Sequence, residues 1–287
     1  MKTSMENRKI EVSGKFIKIA RLGEEWYVDV TNPQIFMDYI RTNRIKADIL
    51  TFWQRLPDVT PRHNYKMEWD SIAVLPVKNF NYWFTKTISG KERNLIRKAQ
   101  KKGVVIKLTR YDDQFVKGIT EIFNETPIRQ GKPFWHYGLD YNTVKSEFSQ
   151  NIHREQLIGA YYDEELIGFI MLANAGKYAM MTQILSKIAH RDKAVNNALI
   201  AKAVEICSEN NIPYLVYAKW VYGTLGDFKK NNGFEKIDLP RYYIPLNIWG
   251  IIVLKLNLHH GVISLLPDIV VSTLIKIRNK WYGRKSL

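Results

Sequence analysis

The stretch that decides the fold opens with Gln156-Leu-Ile-Gly-Ala-Tyr-Tyr162 and closes with Asn231-Asn-Gly-Phe234. Near its start, two apolar runs lie on either side of Asp163-Glu-Glu165, and apolar runs around a short acidic turn predict a β-hairpin. The turn residues Gly176-Lys-Tyr178 are followed by Ala179-Met-Met-Thr-Gln-Ile-Leu185, which predicts a third strand. The first part of the stretch therefore predicts three consecutive strands.

In the second part of the stretch the apolar spacing changes from that of a strand to that of a helix. Apolar side chains recur every three or four residues after a cap region at Asp192 or Asn196, and Asn210-Asn211 ends the pattern. The short run Tyr214-Leu-Val-Tyr-Ala218 then predicts a buried parallel strand. A further helix over Gly226–Lys230 and a last strand complete the order strand, strand, strand, helix, strand, helix, strand.

That order, together with one motif, resembles the GNAT acyltransferase fold. The motif is Asp227-Phe-Lys-Lys-Asn-Asn-Gly-Phe-Glu235, which is similar to the closing helix and turn of the family. In such a turn the glycine permits a tight exit from the helix, and the aromatic side chain packs under the sheet. The resemblance covers roughly residues 83–246. It implies an α/β (α+β) fold in which helices flank a mixed central sheet, with a small N-terminal α+β lead-in and a helical C-terminal tail.

Short strand candidates in residues 1–80 and a change in composition after Pro245 divide the chain into three parts. Residues 1–80 are expected to form a small α+β region packed on the core, with a helix beginning at Pro33. Residues 81–247 are expected to form the acyltransferase domain. Residues 248–287 are expected to form an amphipathic helical tail with Trp281 and several basic residues late in the run.

A second resemblance concerns the basic segment Arg93-Asn-Leu-Ile-Arg-Lys-Ala-Gln-Lys-Lys-Gly-Val104. It is similar to the opening helix of the Fem-type aminoacyltransferases, which are GNAT-fold enzymes that make peptidoglycan bridges. The resemblance implies a surface that binds the phosphates of tRNA or of a lipid-linked nucleotide sugar. The alternative is a helix whose charged face is simply solvated.

The charge of the whole chain is strongly positive. Its 287 residues include 43 basic and 28 acidic side chains, which gives a net charge of +15. Such a charge favours nucleic acid, a phosphorylated cofactor or an anionic membrane surface as partner, although it also serves to keep a protein dispersed. The single cysteine, Cys207, lies on the apolar side of a predicted helix, and we expect it to fill the core rather than react.

The sequence also carries expectations about location. The chain starts with polar and charged residues, and no uninterrupted apolar run reaches the roughly 18 residues of a spanning helix. We therefore expect a cytoplasmic protein, with peripheral contact to the inner face of the membrane through residues 262–287 as a further expectation. The same tail would alternatively cover a sheet edge or form a dimer, and the sequence leaves the oligomeric state open.

The densest polar cluster is a loop over residues 124–138, rich in Pro and Gly. In the GNAT architecture the segment after the first long helix lines the acceptor side of the cleft, so this loop is the predicted acceptor site. Its chemically active side chains are Glu125, Arg129, Trp135, His136 and Tyr137.

Acyl transfer to an amine needs a base, a polarised carbonyl and an acid for the leaving group. We predict Glu125 as the general base with His136 second, because nearby aromatic rings would raise the pKa of the carboxyl. Tyr137 is a further catalytic candidate, and Tyr222 or Tyr217 is the predicted acid. Substrate binding is predicted for three side chains: Arg129, Trp135 and Lys219.

The donor site follows from the GNAT resemblance, which implies that two middle strands diverge. The strand before the central helix would pair with the pantetheine arm of acyl-CoA, and the helix N-terminus would receive the pyrophosphate. The glycine-rich loop of the family is missing, because residues 186–197 contain no glycine. The predicted cofactor-binding residues are Thr182, Gln183, Ile184, Leu185, Lys187, Arg191, Asn196 and Asn197.

Three functions stay open at the level of sequence. The first is N-acyl transfer from acyl-CoA, with acetyl-CoA expected, to a small-molecule or lipid-linked amine. The second is Fem-like aminoacyl transfer from aminoacyl-tRNA to a cell-wall precursor. The third is a non-catalytic GNAT-shaped module that binds nucleic acid or an anionic membrane. No metal site is expected, because His259 and His260 should point apart and lack companions at ligand spacing.

Overall fold

The computed structural model describes residues 10–23, 25–150 and 152–260. The chain forms two compact units, one made of Met1–Asp70 with Asp238–Leu287 and the other of Ser71–Ile237. The strands are β1 (Ile10–Ser13), β2 (Ile19–Leu22), β3 (Ile49–Trp53), β4 (Lys66–Pro76), β5 (Val105–Thr109), β6 (Ile128–Arg129), β7 (Lys132–Pro133), β8 (Glu155–Tyr162), β9 (Glu165–Asn174), β10 (Ala179–Ser186), β11 (Tyr214–Lys219) and β12 (Glu235–Pro245). The helices are α1 (Pro33–Thr42), α2 (Phe80–Tyr82), α3 (Gly90–Lys101), α4 (Asp113–Asn124), α5 (Tyr141–Phe148), α6 (Val195–Glu209), α7 (Thr224–Asn231) and α8 (Ile248–Lys255).

The unit Ser71–Ile237 is built on a mixed sheet flanked by helices, as the sequence predicts. Its strands lie in the order β4, β11, β10, β9, β8, β5. Only β10 and β11 run parallel, and the other neighbours are antiparallel. The predicted domain spans residues 81–247. The unit begins ten residues earlier, at Ser71, and also ends ten residues earlier, at Ile237.

Alternate residues of β8 and β9 face two separate cores. Ile158 and Ile170 belong to the cluster that includes α3 and α6, whereas Leu157 and Phe169 belong to the cluster that includes α4 and α5. Because both faces are covered, the strands read as continuous apolar runs instead of alternating ones.

The predicted β8–β9 hairpin is confirmed. Asp163 and Glu164 both have positive φ angles, 46° and 64°, and Tyr162 pairs with Glu165. Positive φ at both central residues is the geometry that matches the twist of a two-residue hairpin loop.

The closing motif also folds as predicted. The helix α7 ends at Asn231, and Gly233 has a φ of 88°. A Cβ at this glycine would lie 2.6 Å from Thr87 Cγ2, so a side chain has no room there. Phe234 is buried and contacts the Tyr217 ring edge-on at 5.7 Å.

A buried polar contact joins α3 to α6. Asn197 Nδ2 donates to Glu92 Oε2 at 2.8 Å, and both side chains are buried. Glu92 lies in the first turn of α3, where the helix dipole favours a negative charge, and Ser89 caps that helix. The negative charge of the Glu92 carboxylate is therefore stabilised both by the Asn197 amide and by the dipole of α3.

The unit that combines residues 1–70 and 238–287 contains strands in the order β1, β2, β3, β12. Pro33 is the first residue of α1, as predicted, and Asn32 caps this helix. Of the predicted tail, the structure describes α8 and a 3-10 turn over Leu258–His260. Residues 262–287, with the predicted membrane contact, lie outside the described part of the chain.

The expectation that His259 and His260 point apart is wrong. His259 Nε2 lies 2.8 Å from Glu68 Oε1, and His260 Nε2 lies 2.7 Å from Glu68 Oε2. The two residues are in a 3-10 turn that follows Asn257, whose φ is 55°, so the alternation of a strand does not apply to them.

The contact between α3 and α6 gives a stability prediction. Asn197→Ala leaves the Glu92 carboxylate buried without its amide donor, so we expect the free energy of unfolding to fall by about 2 kcal/mol. Urea unfolding measures this. Asn94→Ala on the exposed face of α3 is the matched control and should change stability by less than about 0.5 kcal/mol. Equal effects of the two substitutions would contradict the assignment.

Candidate functional site

The site is centred on the divergence of β10 from β11. The two strands pair only through Ala179 with Leu215 and Met180 with Val216. β10 continues to Ser186 and stays paired with β9, so its other edge has no strand partner beyond Met180 within the described residues. Backbone N–H and C=O groups on such an edge are available to an extended ligand.

A β-bulge begins the unpaired part of β10. The register with β9 shifts between Met181 and Gln183, which places Thr182 at the bulge. Thr182 Oγ1 donates to Glu155 Oε1 at 2.9 Å and lies 3.1 Å from Met171 O. Burial raises the pKa of the Glu155 carboxyl, and the hydrogen bond from Thr182 opposes that rise. A carboxyl of this kind is suited to exchanging a proton with a substrate.

The next residues of β10 fix the strand between the two cores. Ile184 packs on the cluster beneath α6, and Leu185 packs on the cluster beneath α4. Gln183 pairs with Met171 of β9. The predicted cofactor-binding run from Thr182 to Leu185 thus offers backbone along its free edge, while the two apolar side chains anchor it.

At the end of β11 the site has a buried cation. The Lys229 side chain comes from α7, is only 2% exposed, and donates to Tyr217 O at 2.7 Å and to Lys219 O at 2.6 Å. These carbonyls follow Val216, the last residue of β11 that pairs with β10. Burial lowers the pKa of Lys229 to about 8, which leaves the amine mostly protonated near neutral pH.

The loop over residues 124–138 is held on β10 by Glu125 and Arg129. The Glu125 carboxylate accepts hydrogen bonds from Ile188 N at 2.7 Å and from Ala189 N at 2.9 Å. Arg129 donates to Glu125 at 3.0 Å and to Ser186 O at 2.9 Å. The predicted loop is therefore placed at the C-terminal end of β10. Glu125 is a positioning residue in this arrangement, and its role as general base stays a prediction.

His136, the second predicted base, lies inside the loop's aromatic core. It is 2% exposed, stacks on Phe123 with ring centroids 4.3 Å apart, and contacts the rings of Phe134 and Phe148. Burial lowers its pKa to about 4. An imidazole with such a low pKa is a weak base near neutral pH, and its burial keeps it from an acceptor, which makes packing the role that its surroundings favour.

Four predicted residues lie on the surface. Trp135 is 76% exposed and Tyr222 is 81% exposed, while Tyr137 and Lys219 are also exposed. Tyr217, the alternative acid, is partly buried against the core, and burial raises its pKa to about 12. The structure brings Lys219 and Tyr217 together around Lys229, and the catalytic role of Tyr222 stays a prediction.

The basic side chains after β10 are largely engaged by acidic ones. Lys187 pairs with Glu121 at 3.2 Å and with Glu165. Burial alone would lower the pKa of Lys187, but its bonds to Glu165 and Glu121 raise it overall. His190 also lies 3.7 Å from Glu165, whereas Arg191 is exposed.

The predicted cap of α6 at Asp192 or Asn196 is wrong. Ala194 precedes the helix with a φ of 54°, and no side chain caps it. Asn196 is partly buried, and Asn197 is buried against Glu92. Asn197 is thus placed in the contact between α3 and α6, and the prediction that it binds a cofactor finds no support in its contacts.

Two residues of the site were missed by sequence reasoning. Glu155 is a charged residue at the start of an apolar strand. Its position there was a signal that could have indicated a partly buried carboxylate with a functional role. Lys229 is one of two adjacent lysines in the closing motif, and the sequence does not tell which one turns inward.

No protein-family model and no curated protein sequence matches this chain. Solved structures do match it. The C-terminal domain assigned to a lysylphosphatidylglycerol synthetase from Agrobacterium fabrum has a TM-score of 0.56 at 12% identity, covering 88% of this chain and 85% of that one. FemX has a TM-score of 0.56 at 10% identity, covering 81% and 83%. L-PGS from Bacillus licheniformis has a TM-score of 0.55 at 13% identity, covering 87% and 86%.

These comparisons establish the fold and confirm the expected likeness to GNAT-fold and Fem-type proteins. The chain has the mixed sheet flanked by helices that the GNAT resemblance predicts. At identities of 10 to 13% the likeness is one of fold. Within the described residues, no helix combines the length and apolar character needed to cross a membrane.

The buried histidine gives a pH prediction. His136 is neutral when folded and gains a proton more readily when unfolded, so its contribution to stability is complete above pH 6.5 and is lost as the pH falls toward 4. His136→Phe keeps an aromatic ring and removes the titration. When the pH falls from about 7 to about 4.5, we expect the free energy of unfolding to decrease by about 2 kcal/mol less in the variant than in the wild type.

Urea unfolding at several pH values measures this difference. His153→Phe, at an exposed position, is the control and should leave the pH dependence of the wild type unchanged. Parallel stability curves for His136→Phe and wild type would contradict the account.

Proposed function

We propose that this chain is an acyltransferase whose donor is an aminoacyl-tRNA, with an amine as the predicted acceptor. The donor's acyl carbonyl would lie in the gap between β10 and β11. The acceptor amine would attack that carbonyl, a new C–N bond would form, and the ester bond to the ribose would break. A base would take one proton from the attacking nitrogen, and that proton would pass to the ribose oxygen as it leaves.

One observation supports this donor over acyl-CoA. The Glu125 carboxylate occupies the N–H groups of Ile188 and Ala189, directly after β10. The GNAT resemblance places the cofactor's pyrophosphate at the N-terminus of the helix that follows, and these two N–H groups between the strand and that helix already bind a negative charge. They are therefore not free to bind the diphosphate of acyl-CoA.

The distribution of charge agrees with this choice. Lys187 lies in the segment that takes the place of the family's glycine-rich loop. Its positive charge is neutralised by Glu121 and Glu165. By contrast, α3 carries four exposed basic side chains: Lys91, Arg97, Lys98 and Lys101. A row of exposed lysines and arginines suits the repeated phosphates of a nucleic acid better than a single diphosphate.

The fold neighbours point the same way. FemX shares the fold, and the resemblance of α3 to the Fem-type opening helix implies aminoacyl transfer from tRNA. Two other neighbours are named as lysylphosphatidylglycerol synthetase or L-PGS. Neither name identifies the acceptor used by this chain.

Beside the diverging strands, we assign a role to each of two side chains. Glu155 would accept the proton of the attacking amine, because its pKa is raised by burial and Thr182 holds it at the bulge. Lys229 would act as a positioning residue, because its buried ammonium holds the carbonyls of Tyr217 and Lys219 at the end of β11.

Donor binding tests the proposal. The chain is titrated with total aminoacyl-tRNA, with the same tRNA after deacylation, and with acetyl-CoA and longer acyl-CoAs. We expect binding of aminoacyl-tRNA that weakens steeply with salt, and no binding of the acyl-CoAs. Loss of the labelled aminoacyl group to a panel of amines then measures transfer. Saturable acyl-CoA binding without tRNA binding would contradict the proposal and restore the acyl-CoA alternative.

The base assignment is tested by Glu155→Gln. This change keeps an acceptor for Thr182 and removes the titrating carboxyl, so we expect transfer to slow by about 100-fold or more while donor affinity is unchanged. Glu147→Gln, at an exposed position on α5, is the control and should leave the rate unchanged. An unchanged rate for Glu155→Gln would assign the base elsewhere.

Glu125→Gln separates the two readings of Glu125. Removing its charge should raise the affinity for inorganic pyrophosphate by about 1 kcal/mol, or roughly fivefold, because repulsion at Ile188 and Ala189 is relieved. If Glu125 is the general base instead, transfer is abolished and pyrophosphate affinity stays as in the wild type. Isothermal titration and the transfer assay together distinguish these results.

A further inference from the structure

A cluster of metal-ligating side chains lies in the unit formed by residues 1–70 and 238–287. Glu68 of β4 meets His259 and His260, which belong to the 3-10 turn after α8. One potential ligand atom from each of the three residues lies within 4.8 Å of the other two. This cluster takes no part in the site between β10 and β11.

We propose that Glu68, His259 and His260 bind a first-row divalent transition metal, with Zn²⁺ as the expected ion. Two imidazole nitrogens and one carboxylate are a ligand set that zinc accepts, whereas Mg²⁺ and Ca²⁺ prefer oxygen ligands alone. Three protein ligands leave one position of a tetrahedral site for water.

The turn is built so that adjacent histidines converge on one carboxylate. Asn257 adopts a φ of 55°, and the 3-10 turn then places the two imidazole rings 4.1 Å apart. Lys66 stabilises the turn, because its ammonium donates to Leu254 O and to Asn257 Oδ1. These bonds direct the Lys66 ammonium to the turn, and the Glu68 carboxylate faces the histidines.

Burial differs among the three ligands in a way that suits a metal site. The His259 side chain is fully buried, and its ring meets the Tyr243 ring at 4.6 Å. Glu68 and His260 are partly exposed, at 30% and 44% of their side-chain surface. A buried ligand fixes the position of the ion, and the exposed side provides a path for its entry.

Metal binding requires only a small rearrangement. The carboxylate oxygens lie 2.7 and 2.8 Å from the nitrogens, which are hydrogen-bond distances. Ligands at the usual zinc distances in a tetrahedral site are about 3.3 Å apart. Separation of each pair by roughly half an ångström, within the range of side-chain rotation, therefore admits the ion.

The test uses the full chain, without an affinity tag and after removal of metals by a chelator. It is titrated with Zn²⁺ by calorimetry and with Co²⁺ by visible spectroscopy. We expect one equivalent of Zn²⁺ per chain, intense absorption bands of tetrahedral Co²⁺, and a rise in melting temperature with metal concentration.

Variants locate the ion. Glu68→Gln and His260→Ala should each weaken Zn²⁺ binding by at least about 100-fold, and His153→Ala, an exposed histidine elsewhere, should bind as the wild type does. His260 is partly exposed, so its variant remains informative if a change at the buried His259 impairs folding. Absence of stoichiometric binding, or equal binding by all variants, would overturn the proposal.

Discussion

The separation of β10 from β11 is the feature on which the rest of the site depends. Two parallel strands that pair through only two residue pairs must satisfy their remaining edge groups elsewhere. On the β11 side, Lys229 supplies hydrogen bonds to two carbonyls and thereby becomes a buried cation. On the β10 side, Arg129 caps Ser186 O, and the free edge between the bulge and that cap is the part left for a ligand.

The loop after α4 supplies a carboxylate to the backbone that follows β10. A glycine-rich turn would expose backbone N–H groups to a diphosphate, whereas this chain fills the N–H groups of Ile188 and Ala189 with its own Glu125 carboxylate. The neighbouring Lys187 is neutralised in the same region. Under the proposed function, this contact would help to exclude acyl-CoA as a donor, which a fold-level likeness alone does not reveal.

The sequence predicted those features that depend on residues close together in the chain. The β8–β9 hairpin follows from the turn at Asp163, and the exit from α7 follows from Gly233 and Phe234. The identity of the partners across the site could not be predicted. Glu125 and Ile188 are separated by 63 positions, and their contact depends on how α4 packs on the sheet. The sequence alone therefore does not show whether a carboxylate in a polar loop acts as a base or holds the loop in place.

The most direct measurement is hydrogen–deuterium exchange of the peptide that contains Gln183–Ser186. The account predicts that aminoacyl-tRNA slows exchange in this segment, because the acyl group and the tRNA terminus occupy the free edge of β10. Deacylated tRNA and acetyl-CoA should protect it less or not at all. Tight binding of aminoacyl-tRNA with unchanged exchange at Gln183–Ser186 would contradict the account, since the donor would then lie away from the diverging strands.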